Sequence, residues 1–388
     1  MVAVSLKKKK KTRNHATKPE QTRQPSARLD HRKNSRRYQK RAAARRRRNT
    51  IFIMEIVLLL ILAVVLFFVS KLSKIEKTKL DMDKIEVNED ISQESQKIMK
   101  GYQTIAMFGL DNRSNGNLSQ GRSDVIMLAN INNDTKEVKL VSVYRDTYLD
   151  TGDGIFQKCN AAYAKGGPEQ AISMLNVNLD LNITDYVTVD FNSIIECVDL
   201  LGGVDMEITD DEASLMTGYI RELNELTGNK AENLTQGGTY TLNGVQACAY
   251  ARIRYGGGDD YRRTERQRTV LTAMVKKAQQ SDLTTVNKLI NEVCGDIQTS
   301  FSNAELLALA SQVFQYSIGD TTGFPFTKTT RVLSKKTGDV VIPCDLSDNV
   351  KELHIFLYED SAYTASDTVK QNSEKIVSDT GFKSGDGH

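Results

Sequence analysis

Residues 51–70 read IFIMEIVLLLILAVVLFFVS, an apolar run with Glu55 as its one charge. A helix of about 20 apolar residues matches the ~30 Å hydrocarbon core of a bilayer. Water cannot satisfy backbone groups there, so such a segment spans as a helix. The run is too long for the apolar region of a cleaved signal peptide, and VSKLSK follows it without a small-x-small cleavage pattern. Glu55 lies near the start of the run, where its carboxylate reaches the headgroup level. RAAARRRRNT abuts the run on its N-terminal side. The positive-inside rule therefore predicts residues 1–50 in the cytoplasm and everything after about residue 70 outside.

Charge divides the chain in the same way. Residues 1–50 hold 19 Lys and Arg against two acids, whereas the whole chain is only +3, so the remainder is acidic. The tail has too few apolar groups to fold alone. Anionic lipid headgroups suit it better than nucleic acid does, and no nucleic-acid partner is expected. Residues 71–100 are polar and read as a stalk, 101–360 as the globular domain, and 361–388 as a polar, frayed tail. Five cysteines are scattered without a CxxC pair, and the chain has four histidines. That composition argues against a zinc site, and the cysteines read as buried small hydrophobes with one disulfide as the alternative.

From residue 102 the pattern becomes globular. YQTIAMFGL, SDVIMLANI and VKLVSVY read as strands, the last two joined by the turn-rich NNDTKE. GPEQAISMLN starts a helix with Pro168 in its first turn. DYVTVDF is a strand, NSIIECVDLLGG a helix closed by Gly202, and VDMEI a further strand. Helices are predicted for NGVQACAYARIR, YRRTERQRTVLTAMVKKAQQ, LTTVNKLINEVCGDI, NAELLALASQVFQYS and NVKELHIFLYE, with strands near KTTRVL and GDVVIP. The fold class expected is α/β: three layers, α/β/α, around a central mixed sheet behind one membrane helix.

Three stretches could carry chemistry. Asp111 and Asp124 sit beside two adjacent strands, one at the end of the first and one at the start of the next. Two carboxylates completed by waters and phosphate oxygens suit Mg2+; the alternative is that both acids cap turns. Arg145 and Asp146 end an apolar strand at the rim of the sheet, where ligands bind in open α/β folds; a surface ion pair is the alternative. The third stretch is ARIRYGGGDDYRRTERQR, residues 251–268, with six arginines and no lysine. Arg263 and Gln267 are spaced i, i+4 on a stripe that continues into Val270, Leu271 and Met274, so they point inward at the start of a helix. Helix N-termini favour anions, and Asp260 can cap the helix or orient Arg263. Arg252 and Arg254 approach across the Gly256–Gly258 loop. Arginine suits bidentate recognition of phosphate, so a polyanion site is predicted. Arg262 and Arg268 are expected to face solvent.

Taken together, FGLDNR, GRSDVIML, VYRDTYL, KCNAAYAKGG, YVTVDF, GGVD, ARIRY and DYRRTERQR, in this order over roughly 102–281, resemble the LytR–CpsA–Psr family. The resemblance implies a membrane-anchored phosphotransferase with its catalytic domain outside the cell. Such enzymes pass an anionic glycopolymer, of teichoic acid or capsular polysaccharide type, from a polyprenyl pyrophosphate carrier to peptidoglycan through a phosphodiester. It implies Mg2+, or Mn2+ in its place, at Asp111 and Asp124. It implies pyrophosphate binding by Arg122, Arg145, Lys158, Asn160, Arg252, Arg254, Arg263, Arg266 and Gln267. Arg145, Asp260, Arg263 and Gln267 are implied to take part in catalysis. Cys159 stands where the family commonly has an aliphatic residue, and Arg262 where it frequently has glycine. A non-catalytic membrane-bound regulator that binds polymer, and a polyprenyl-pyrophosphate hydrolase, are the alternative functions.

Overall fold

Alternation along YQTIAMFGL sends its side chains to two faces of a sheet, and each face is covered by different elements. The computed structural model describes residues 80–110, 118, 121–254, 260–282, 284–285, 288–289, 297–302, 305–306, 308–309 and 312–387, and the backbone of 76–77. The expected membrane helix at 51–70, the tail at 1–50, Asp111, the glycine loop and half of the residues of the two helices expected between 283 and 317 lie outside them. Among the described residues no helix is long and apolar enough to cross a membrane.

The strands are β1 (Glu76–Lys77), β2 (Tyr102–Leu110), β3 (Ser123–Asn132), β4 (Glu137–Val143), β5 (Tyr148–Asp150), β6 (Phe156–Lys158), β7 (Asp185–Asp190), β8 (Val204–Ile208), β9 (Gly238–Leu242), β10 (Ile297–Thr299), β11 (Ser317–Phe324), β12 (Lys328–Ser334) and β13 (Gly338–Pro343). The helices are α1 (Gln93–Met99), α2 (Ala161–Leu179), α3 (Phe191–Leu200), α4 (Asp210–Thr227), α5 (Gly244–Arg252), α6 (Asp260–Gln280), α7 (Leu346–Tyr358) and α8 (Asp367–Thr380).

Seven strands form one mixed sheet in the order β1-β10-β7-β2-β3-β4-β11. The meander β2–β3–β4 is antiparallel, while β7 joins β2 and β11 joins β4 in parallel. Ala106, Phe108 and Leu110 of β2 pack on one side with Ile172 and Leu175 of α2 and Leu353 of α7. Ile105 and Met107 pack on the other side with Leu271 of α6. The three-layer expectation rests on that split, and the mixed sheet agrees with it. A separate apolar cluster joins α3, α4, α5, the antiparallel pair β8–β9 and Val270 of α6. VDMEI therefore leaves the main sheet.

Several boundaries differ from the sequence reading. Part of the expected stalk belongs to the core: Ile91 and Met99 are buried, and Asn88 Nδ2 donates to Asp180 Oδ1 at 2.6 Å. The expected C-terminal tail contains α8, capped by Ser366 and buried through Val369 and Ile376. Two apolar residues seven apart are enough for a helix whose partner α7 supplies the rest of the interface. In α2, Gly166 and Gly167 interrupt the helical dihedrals just before Pro168, which thus does stand in a first turn. None of the four described cysteines is in a disulfide, and Cys159, Cys248 and Cys344 are buried.

Candidate functional site: an arginine-lined cavity

Four arginines converge at the end of the sheet where β2 and β7 finish and β3 begins. The register of β2 against β3 shifts between Gly109 and Leu110, since Gly109 faces Val125 and Leu110 faces Ser123. Asp124 is the extra residue of this bulge, and bulges re-aim a side chain beside functional sites. Asp124 lines a cavity of ≈ 300 Å³ together with Arg145, Phe191, Tyr219, Arg252, Arg254, Arg263 and Gln267. The sheet supplies Asp124 and Arg145, and the separate α3–α4–α5 cluster supplies Phe191, Tyr219 and Arg252. The site is thus built where two packing units meet.

Each charge has a local reason for its position. Arg145 Nη1 lies 2.7 Å from Asp124 Oδ1, and its Nε is 3.7 Å from Asp260. Burial opposes the charge on Arg145, but Asp124, Asp260 and Asp146 outweigh it and raise its pKa above the ordinary arginine value. Arg263 is 3% exposed, with Nη2 2.9 Å from Asp260 Oδ1, one turn earlier on α6. Its Nη2 also donates to the Asp124 carbonyl at 3.3 Å. Burial, reinforced by Arg145 and Arg254, pulls the Arg263 pKa down to about 10, against the pull of Asp260. The guanidinium is therefore charged at neutral pH and under-compensated. Arg252 pairs with Glu222 at 3.2 Å and stacks over Phe191 (5.0 Å) and Tyr219 (5.7 Å). Arg254 is exposed at the rim.

The polar atoms that remain are the informative ones. Arg145 Nε, Arg252 Nη1, Arg263 Nε and Gln267 Oε1 are buried without a hydrogen-bond partner among the described residues. Buried polar groups are nearly always paired, so unpaired donors from three arginines around one cavity mark the place of an anion. Val125, Phe191 and Gln267 also line an apolar groove with Met127, Val187, Val189, Ile194, Leu271 and Met274. An oxyanion site opens directly onto an apolar one.

Five sequence assignments move. Arg122 is exposed and absent from the cavity lining, because the bulge turns Asp124 inward instead. Lys158 Nζ pairs with Asp146 at 2.9 Å, and Asn160 donates its backbone N–H to the Arg145 carbonyl at 3.1 Å. These two shape the segment that carries Arg145 and do not line the cavity. Cys159 acts beside them, its Sγ lying 3.3 Å from the carbonyls of Tyr144 and Arg145. Arg266 turns away to Glu212 of α4, with Nε 3.1 Å from Oε1, and lies over the Tyr250 ring. Arg268 was expected in solvent and is 8% exposed. Arg145, Arg252, Arg254, Arg263, Gln267 and Asp124 line the same cavity. Phe191 and Tyr219 were missed in the sequence; Tyr219 sits on α4, whose capping box TDDE was the available signal. Among the described residues no group of three His, Cys, Asp or Glu could hold a metal.

The LytR_cpsA_psr family model matches residues 62–331, more than half of the chain. The chain is 30% identical over 210 residues to the polyisoprenyl-teichoic acid–peptidoglycan teichoic acid transferase TagU of Enterococcus faecalis, covering 53% of this chain and 64% of that protein. It is 31% identical over 208 residues to biofilm regulatory protein A of Streptococcus mutans, covering 51% and 49%. The crystal structure of TagV from B. subtilis superposes with a TM-score of 0.53 at 25% identity, covering 69% of this chain and 99% of that one. The chain thus spans about half to two thirds of the length of these curated relatives.

Proposed function

The chain belongs to the LytR_cpsA_psr family, and from that premise we propose that it transfers an anionic glycopolymer from a polyprenyl pyrophosphate to peptidoglycan. The observation that carries the reading is the set of buried atoms Arg145 Nε, Arg252 Nη1 and Arg263 Nε, none of them hydrogen-bonded among the described residues, around a cavity that opens onto an apolar groove. A lipid pyrophosphate has the matching shape: two phosphates for the arginines and an isoprenoid chain for Val187, Val189, Ile194 and Leu271. The TagU relative is named for this kind of transfer, with teichoic acid as its polymer.

In the proposed reaction an acceptor hydroxyl attacks the phosphorus that carries the sugar. A new P–O bond forms, the bond to the bridging pyrophosphate oxygen breaks, and polyprenyl phosphate leaves with the electron pair. The hydroxyl proton passes to solvent or a nearby carboxylate. Arg145, Arg252 and Arg263 hold the nonbridging oxygens and stabilise the charge that builds on the leaving phosphate. Asp260 keeps Arg263 in place, so it is a positioning residue in this scheme. The Asp124 carboxylate has Arg145 on Oδ1 only, and Mg2+ needs few protein ligands when waters and phosphate oxygens complete its shell. Asp124, with Asp111 beyond the described residues, would hold the ion. When bound it would supply further positive charge to the pyrophosphate. Residues 51–70 would anchor the domain, with residues 1–50 on the cytoplasmic side.

The test is product analysis of the full chain in detergent with a lipid-linked donor, with and without peptidoglycan. Polymer attached to peptidoglycan, lost in Arg263→Gln, supports transfer. Phosphate release independent of peptidoglycan would replace it with hydrolysis.

A further inference from the structure

Arg268 repeats, on another side of α6, the signature that marks the main cavity. It is 8% exposed, and its Nε and Nη1 are buried with no hydrogen-bond partner among the described residues. No carboxylate among the described residues lies within ion-pair distance of it. Glu265, one turn earlier on α6, attracts its charge without forming an ion pair, and a buried guanidinium answered only at that range makes an external anion the natural partner. Arg268 lines a second cavity, of ≈ 540 Å³, between α6 and the sheet-edge strand β11.

The rest of that lining suits an oxyanion. Lys276 and Lys277 add two ammonium groups and Thr272 adds a hydroxyl, while the Thr269 hydroxyl donates to the Glu265 carbonyl at 3.0 Å. Asp205 is the one carboxylate in the lining, and it is already answered by Lys277 at 3.1 Å and by the Thr241 hydroxyl. With Lys277 taken up by Asp205, Arg268 and Lys276 are the two cations of the lining that no carboxylate in it answers, and the Glu137 carboxylate lies at its edge beside Gly319. On the strand side the pairing of β11 with β4 shifts register between Ile318 and Thr321, beside the lining residue Gly319.

We propose that this cavity is a second oxyanion site that binds a phosphate ester, separate from the arginine cavity of the transfer reaction. The source we favour is a phosphodiester further along the polymer, which rests on the donor reading above. Free phosphate has the same headgroup chemistry.

The probes are inorganic phosphate and a short glycerol-phosphate oligomer, titrated into the full chain in detergent by calorimetry. Arg263→Gln serves as the background that weakens the first site, so the measurement does not depend on transfer activity. In that background Arg268→Gln is expected to weaken oligomer binding at least tenfold. Lys276→Gln, at an exposed position that leaves folding intact, is expected to weaken it severalfold. If inorganic phosphate alone shows this dependence, the site stands and its ligand is free phosphate. If neither probe responds to Arg268→Gln or Lys276→Gln in variants with wild-type melting temperature, the proposal is overturned. Failed transfer with intact two-site binding would count against the transferase reading alone.

Discussion

Asp260 holds Arg263 across one turn of α6, carboxylate to guanidinium at 2.9 Å, and thereby places a 3% exposed cation at the edge of the arginine cavity. Breaking a buried pair by removing one partner costs about 3–5 kcal/mol when it strands a charge. Asp260 itself is partly open, so Asp260→Asn is expected to cost less, about 2 kcal/mol. Arg263→Ala removes the cation instead and should cut polymer transfer about a hundredfold or more with the fold intact. Thermal melts beside turnover on a lipid-linked donor separate the two effects; equal turnover in wild type and Arg263→Ala would remove Arg263 from the mechanism.

The depressed pKa of Arg263, about 10, sets a pH limit on binding. Below that value the guanidinium is charged, and it is lost as pH rises through about 10. Pyrophosphate affinity is therefore expected to hold up to about pH 9 and to fall beyond about 10. In Arg263→Gln that step should vanish. A pyrophosphate titration across pH 8–11 reads both profiles.

His354 makes stability pH-dependent. Its ring stacks on Tyr363 at 3.8 Å and shares a hydrogen bond of 3.0 Å between Nε2 and the Leu179 carbonyl. Burial lowers its pKa below the ordinary 6.5, against the pull of Leu179, Asp180 and Asp360. The unfolded chain then binds the extra proton first, so unfolding free energy rises with pH in the window just below 6.5. The stability that neutral His354 contributes is present above about 6.5 and lost as pH falls. The drop in melting temperature between pH 7.5 and 5 should shrink in His354→Asn.

Gly244 lets α5 touch α3. A Cβ there would stand 2.1 Å from the Ile195 carbonyl oxygen, a backbone atom that cannot swing away. Gly244→Ala is expected to push α5 off α3, cost about 2–3 kcal/mol and displace Arg252 from Phe191. A lowered melting temperature with a raised KM for the donor is the expected result. Wild-type values for both would show that the helices yield without harm.

The apolar groove carries a length-dependent prediction. Val189→Gln places an amide among Val187, Ile194 and Leu271 and should raise KM about tenfold for a long-chain polyprenyl donor. A donor with a short water-soluble tail should change little. Equal effects on both donors would place the isoprenoid chain elsewhere.

The arginine site was legible where its cause is local. The i, i+4 spacing of Arg263 and Gln267 put both on one stripe, and that stripe does enter the cavity. The patterns YQTIAMFGL and SDVIMLANI predicted strands that match β2 and β3 to within a residue. The capping box TDDE at Thr209–Glu212 was equally local and went unread, so α4 was missed, and with it Tyr219 and the partner of Arg266. Arg268 was not legible by that route. One amphipathic stripe predicts one buried face, but α6 packs against β4, β8 and β11 as well as α5, so a residue off the stripe is buried too.

What the sequence by itself determined is therefore the material: an apolar run long enough for a bilayer, strands and helices in order, and arginine where phosphate geometry is needed. Each follows from spacing along the chain, which local sterics and hydrogen bonding translate directly into strand or helix. Only the tertiary structure decided which arginines share a cavity. Arg252 and Arg263 reach it because α5 and α6 converge there, Arg266 is diverted by Glu212, and Arg268 faces a different cavity. Those outcomes depend on contacts between residues far apart in sequence, where burial makes an unanswered charge expensive and so selects its partner.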